Sequence, residues 1–67
     1  MGLEFEYYKY KDKYYMVEVS DEFVIGYNEI NKYEVVGQAD TIDDKQWDNI
    51  INNYKKYIVW QKKGENN

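Results

Sequence analysis

Four aspartates, Asp40, Asp43, Asp44 and Asp48, stand close together and form the densest group of hard oxygen ligands in the chain. Carboxylate oxygens are what Mg²⁺ and Ca²⁺ coordinate, so metal chemistry is looked for here first. The spacing lacks the Asp-x-Asp-x-Asp-Gly order of a calcium loop, and no glycine stands where that loop turns sharply. The same acids suit a plainer task. They crowd the start of a helical segment whose other end carries Lys55 and Lys56, an arrangement that the helix dipole favours. No metal and no cofactor are expected.

Glu4, Glu6 and Glu18 are the other carboxylates that pair by spacing, and paired carboxylates do the acid–base work of glycosidases. That work needs a cleft that shifts one pKa toward neutrality. All three are expected on the solvated outer face of a hairpin, where no such cleft encloses them. His, Cys, Arg and Pro are absent, Ser20 is the single serine and Thr41 the single threonine. The residue types that supply most nucleophiles, proton shuttles and zinc ligands are therefore nearly gone. The reading is not an enzyme, with no catalytic residue.

Nine of the 67 residues are tyrosine, a rigid amphipathic side chain favoured where one surface buries another. They concentrate in Tyr7-Tyr8-Lys9-Tyr10-Lys11-Asp12-Lys13-Tyr14-Tyr15. Tyr8, Tyr10, Tyr14 and Met16, with Lys9, Lys11 and Lys13 around the hairpin tip, make the candidate partner-binding surface. Exposed Tyr and Met are enriched at protein–protein contacts. Stacking aromatics interleaved with lysine also suit single-stranded nucleic acid, although no arginine is present to assist. A third alternative is that the tyrosines are core and the helix packs on them.

The elements that must position these residues follow from periodicity. Leu3, Phe5 and Tyr7 alternate with Glu4, Glu6 and Tyr8 as in a half-buried strand, and Tyr14 to Val19 is a second β-rich run. Pairing Tyr10 with Tyr14 and Tyr7 with Val17 across a loop of Lys11-Asp12-Lys13 puts Leu3, Phe5, Tyr7, Tyr15, Val17 and Val19 on one face. A slip of one residue would place Glu18 among them, which argues for the first register. Phe23-Val24-Ile25 begins a third strand, with Gly26 as a candidate bulge, and Tyr33 to Val36 reads as a fourth.

The last third reads as a helix. Asp43 and Gln46 have capping-box spacing, and Ile42 and Trp47 that of a hydrophobic staple. Trp47, Ile50, Ile51, Tyr54, Tyr57 and Ile58 recur as an apolar stripe. The expected fold is α+β: an antiparallel four-stranded meander, residues 3–10, 14–19, 22–27 and 33–38, with one C-terminal helix, residues 44–58, packed on one face. Phe5, Tyr7, Val17, Val19, Ile25 and Val35 should meet Trp47, Ile50, Ile51 and Tyr54. A small five-stranded barrel with residues 57–62 as a strand and a short helix is the alternative. Residues 1–63 form one domain, and 64–67 a frayed polar tail after Gly64.

A chain of this length buries only about 60% of its unfolded surface, so its core is thin, and a homodimer is one way to supplement it. Net charge is −4, unevenly spread. Residues 1–48 hold twelve acids against five lysines, −7, and residues 49–67 four lysines against Glu65, +3. Duplex DNA is disfavoured as a partner by that sign. Neither a secretion-signal pattern nor an apolar run of roughly 18–20 residues is found, so a cytoplasmic, non-membrane protein is expected. Abundant Lys, Asn, Tyr and Ile correspond to AT-rich codons. Together these features suggest a small acidic protein-binding module, an inhibitor of a host protein encoded by a bacterial phage or mobile element. The alternatives are a single-stranded nucleic-acid binder and a DNA-mimic inhibitor.

Overall fold

The computed structural model describes residues 2–65. Three eight-residue strands come first: β1 Leu3–Tyr10, β2 Lys13–Ser20 and β3 Phe23–Ile30. A single 3₁₀ turn, Lys32–Glu34, precedes the two-residue β4, Asp40–Thr41, and α1 spans Asp44–Glu65. The sheet order is β3-β2-β1-β4. β1, β2 and β3 pair antiparallel, while β4 runs parallel to β1, with Tyr8 beside Asp40 and Lys9 beside Thr41. The fold is α+β with a mixed, open sheet and one C-terminal helix, rather than a purely antiparallel meander or a closed barrel.

The first hairpin departs from the expected register by one residue. Tyr10 pairs with Lys13 and Tyr7 with Met16, so the loop is the two-residue Lys11-Asp12. Both loop residues have positive φ, 49° and 64°, as a tight turn between twisted strands requires. Cross-strand partners share a face. Leu3, Phe5, Tyr7 and Lys9 therefore lie with Ser20, Glu18, Met16 and Tyr14, and Glu4, Glu6, Tyr8 and Tyr10 with Val19, Val17, Tyr15 and Lys13. Glu18 does sit beside Phe5, and that is tolerated because this face stays open to solvent, with Phe5 47% and Leu3 53% exposed.

β2 and β3 are joined by the two-residue turn Asp21-Glu22. Glu18 faces Gly26 but Val19 faces Val24, which leaves Ile25 as the extra residue of a bulge. The bulge lets Val24 and Tyr27 both reach the helix side, opposite Val19 and Val17. Val17, fully buried on the central strand β2, is the centre of the core, with Val24 and Ile42 also buried. Phe5, Tyr7 and Val35, expected in that core, are not part of it. Their places are taken by the half-buried rings of Tyr15 and Tyr27, which meet the expected Trp47 and Tyr54 of the helix.

Residues 33–38 are not a strand. The Asn31 N–H donates to Glu34 Oε1 at 3.1 Å and the Glu34 N–H to the Asn31 carbonyl at 2.9 Å, so local bonds close a turn where a ladder was expected. Gly37 then takes φ +81°, a conformation glycine adopts without strain. The segment passes Lys9 and Tyr14, with which Lys32, Val35 and Ala39 line a shared cleft, and reaches the far side of β1.

The capping box of α1 is formed. The Gln46 N–H donates to Asp43 Oδ1 at 2.9 Å, and the Asp43 N–H to Gln46 Oε1 at 3.0 Å. Ile42 is buried just ahead of the cap. The helix outruns the expected end at residue 58 and continues through Gly64. A strand over 57–62 would turn Tyr57 and Trp60 to opposite faces, whereas a helix puts positions three apart side by side. Both rings lie on Phe23, with centroids 5.8 and 5.4 Å away. Asn66 and Asn67, the end of the expected tail, fall outside the described residues. Among the described residues no helix is long and apolar enough to cross a membrane.

Candidate functional site

The one-residue change of register divides the expected Tyr/Lys surface between two faces. Tyr8 and Tyr10 lie on the helix side, and Tyr14, Met16 and Lys9 on the other. The row of four side chains on one outer face does not form. Glu4 and Glu6 likewise lie on the face opposite Glu18.

On the helix side the hairpin is occupied with holding α1. Tyr10 stacks on Trp47 with centroids 5.0 Å apart and planes 16° from parallel. Tyr15 meets the same indole at 4.5 Å and Tyr27 meets it edge-on at 5.6 Å. The Tyr10 hydroxyl donates to Asp44 Oδ1 at 2.7 Å, and Lys11 Nζ lies 3.5 Å from the same oxygen. The Tyr10 bond, then the lysine charge, holds the Asp44 carboxyl below its ordinary range. The same bond raises Tyr10, and Lys11 is raised by the Tyr10 phenol beside it and by the Asp44 charge. Lys13 reaches Glu29 at 3.8 Å. Two of the three tip lysines thus have carboxylate partners within the chain. Tyr8 donates to Glu6, and its phenol is pushed up to about 12, chiefly by burial and then by that hydrogen bond.

The four aspartates do not converge. Asp43 caps the helix and Asp44 receives Tyr10. Among the described residues no three acids come near enough to hold a cation.

The other face of the sheet has no helix over it. Leu3, Phe5 and Tyr7 run along β1, Met16 lies beside Tyr7, and Lys9 Nζ stands 5.8 Å over the Tyr14 ring. Past the outer edge of β1 an open trough of about 640 Å³ is bounded by Phe5, Glu6 and Tyr7 on one side and Val36, Gln38 and Asp40 on the other. Val36 is 74% exposed. The alternation of β1 assigns Phe5 and Tyr7 to the core, so the sequence places only Tyr14, Met16 and Lys9 of this face on a partner surface. The signal that locates it is turn length: two-residue hairpin loops are the commonest, and a two-residue loop here inverts every side chain of β1 relative to β2.

No protein-family model, no curated protein and no solved structure matches this chain.

Proposed function

We propose that this chain is a small, non-catalytic protein-binding module whose contact surface is the sheet face away from α1, where the segment after β3 passes only its Lys9–Tyr14 end. The observation that carries this reading is the exposure of Leu3 and Phe5, beside Tyr7 and Met16, on a face that α1 leaves open. Fully burying one such side chain contributes roughly 1.5–3 kcal/mol before association costs are subtracted. Of the earlier candidates, Tyr14, Met16 and Lys9 stay with this surface, while Tyr8, Tyr10, Lys11 and Lys13 serve the hairpin and its tie to α1. The idea that it inhibits a host protein, encoded by a phage or mobile element, is motivated by composition alone.

The test is capture of a protein from a lysate of the source organism by the tagged chain. Phe5→Ser combined with Met16→Ser should keep the native circular dichroism and lose the captured protein. Undiminished capture by that folded double variant would remove the open face from the proposal.

A further inference from the structure

The outer edge of β1 is largely unpaired. β4 pairs with Tyr8 and Lys9, and among the described residues no strand lies beside Leu3 to Glu6 on that side. The Ile42 N–H donates to the Lys9 carbonyl at 3.0 Å, so Lys9 directs its backbone groups outward. Backbone direction alternates along a strand. Leu3 and Phe5 therefore present their N–H and C=O groups to the open edge, and Tyr7 its N–H, its carbonyl lying against Asp40 in the parallel register. A long edge with free donors and acceptors is a template for another strand, and natural proteins guard such edges or use them.

The side chains flanking this edge select the occupant. Toward the open face point Leu3, Phe5 and Tyr7, continued by the exposed Val36 across the trough. Toward the helix side point Glu4 and Glu6, both exposed, and Asp40 lines the trough beyond them. A second copy is a poor fit. Centring an antiparallel two-fold on Glu4, Phe5 or Glu6 sets glutamate opposite glutamate, and like charges directly opposite destabilise a pair. A strand alternating apolar and basic residues meets both sides: its apolar set extends the Leu3–Phe5–Tyr7 strip, and its lysines or arginines face Glu4 and Glu6.

From this edge we infer that the module binds an extended segment of alternating apolar and basic residues, added as a strand beside Leu3–Tyr7 of β1. The inference rests on the binding-module reading and names its partner's chemistry. The carboxylates give the edge its selectivity, repelling a second copy and attracting a basic strand.

The test uses the unmodified chain with two synthetic peptides, one alternating lysine and valine, the other glutamate and valine, read by amide hydrogen exchange. At about ten times its dissociation constant the lysine peptide should slow exchange at Leu3, Phe5 and Tyr7 by about tenfold, since only the free fraction exchanges. The glutamate peptide should leave those amides unchanged. Added salt should weaken the effect, because the charges are exposed. Glu4→Lys with Glu6→Lys should exchange the two peptides' behaviour. Equal protection by both peptides, protection by neither, or binding of the lysine peptide without protection of these three amides overturns the inference. Lysate capture that depends on Phe5 and Met16, with no protected β1 amide, sinks strand addition and leaves the binding-module reading standing. Protection of the three amides with no protein captured supports strand addition and counts against the broader reading.

Discussion

Tyr10 lies flat on Trp47, ring centroids 5.0 Å apart, and so fastens the tip of the first hairpin to the first turn of the helix. Trp47 is also met by Tyr15 from β2 and by Tyr27 from β3. One indole thus ties all three long strands to the helix. With only Val17, Val24 and Ile42 buried among the described apolar residues, this aromatic cluster substitutes for a larger aliphatic core. Trp47→Ala should therefore cost about 3–5 kcal/mol, as loss of a large packed aromatic does. In a chain this small that approaches the whole stability. Urea unfolding followed by circular dichroism measures it, and a loss under about 1 kcal/mol would show that the cluster is not structural.

Asn53 fastens the second turn to the helix. Its Oδ1 accepts from the Val24 N–H at 2.7 Å, and its Nδ2 donates to the Glu22 carbonyl at 3.3 Å. Val24 is buried, so Asn53→Ala strands its amide donor, at about 1–3 kcal/mol. The Val24 amide should also exchange faster in that variant. Unchanged exchange would assign the protection to the sheet instead.

The Tyr10–Asp44 hydrogen bond makes a pH prediction. The Asp44 carboxyl is held low in the folded chain, first by this bond and then by Lys11. A depressed acid adds stability that is present above its unfolded pKa and lost as pH falls through the folded one. Acidification below the ordinary carboxylate range should therefore loosen the hairpin tip from the helix. At the alkaline end the raised phenols of Tyr10 and Tyr8, the latter at about 12, act in the opposite sense. Their contribution is present below the unfolded phenol value and lost as pH rises through the folded one. Carboxyl-detected NMR titration should place Asp44 below the ordinary aspartate value and return it toward that value in Tyr10→Phe. No change in that variant would leave Lys11 as the whole cause.

Lys11 and Asp12 occupy positions where positive φ strains most side chains. Replacing them together by Lys11→Asn and Asp12→Gly supplies the preferred residues of such a turn. Lys11 also loses its contact with Asp44, an exposed pair worth little. The net expectation is a gain of up to about 1 kcal/mol, seen as a melting temperature about 4–8 °C higher. A lower melting temperature would show that the Lys11–Asp44 contact outweighs the turn strain.

The legibility of this chain followed the range of the interactions involved. The Asp43–Gln46 capping box, the start of the helix at Asp44 and the full length of β1 were readable, because each depends on residues a few positions apart. The fate of residues 33–38 was misread although it too is local. β-propensity in Tyr33, Val35 and Val36 lost to the Asn31–Glu34 turn, whose side-chain bond competes directly with a ladder. The helix beyond residue 58 was ambiguous for another reason. Ile58, Val59 and Trp60 favour strands, and only Phe23, far off in sequence, makes the helical placement of Tyr57 and Trp60 the better one.

By itself the sequence determined the class of the fold, the cap and stripe of its helix, and a composition rich in tyrosine and poor in the residue types of catalysis. Tertiary structure decided which side of the first hairpin faces the helix, and hence which residues are available to a partner. The reason is the period of a strand: moving the pairing by one residue exchanges its two faces completely. The hydrophobic pattern favours the other register, which keeps Glu18 off the apolar face, but its preference is weak because both faces of β1 and β2 carry aromatic residues. What chose was the Lys11-Asp12 turn together with the Trp47 indole, which draws Tyr10, Tyr15 and Tyr27 to one side and leaves Leu3, Phe5 and Tyr7 on the other.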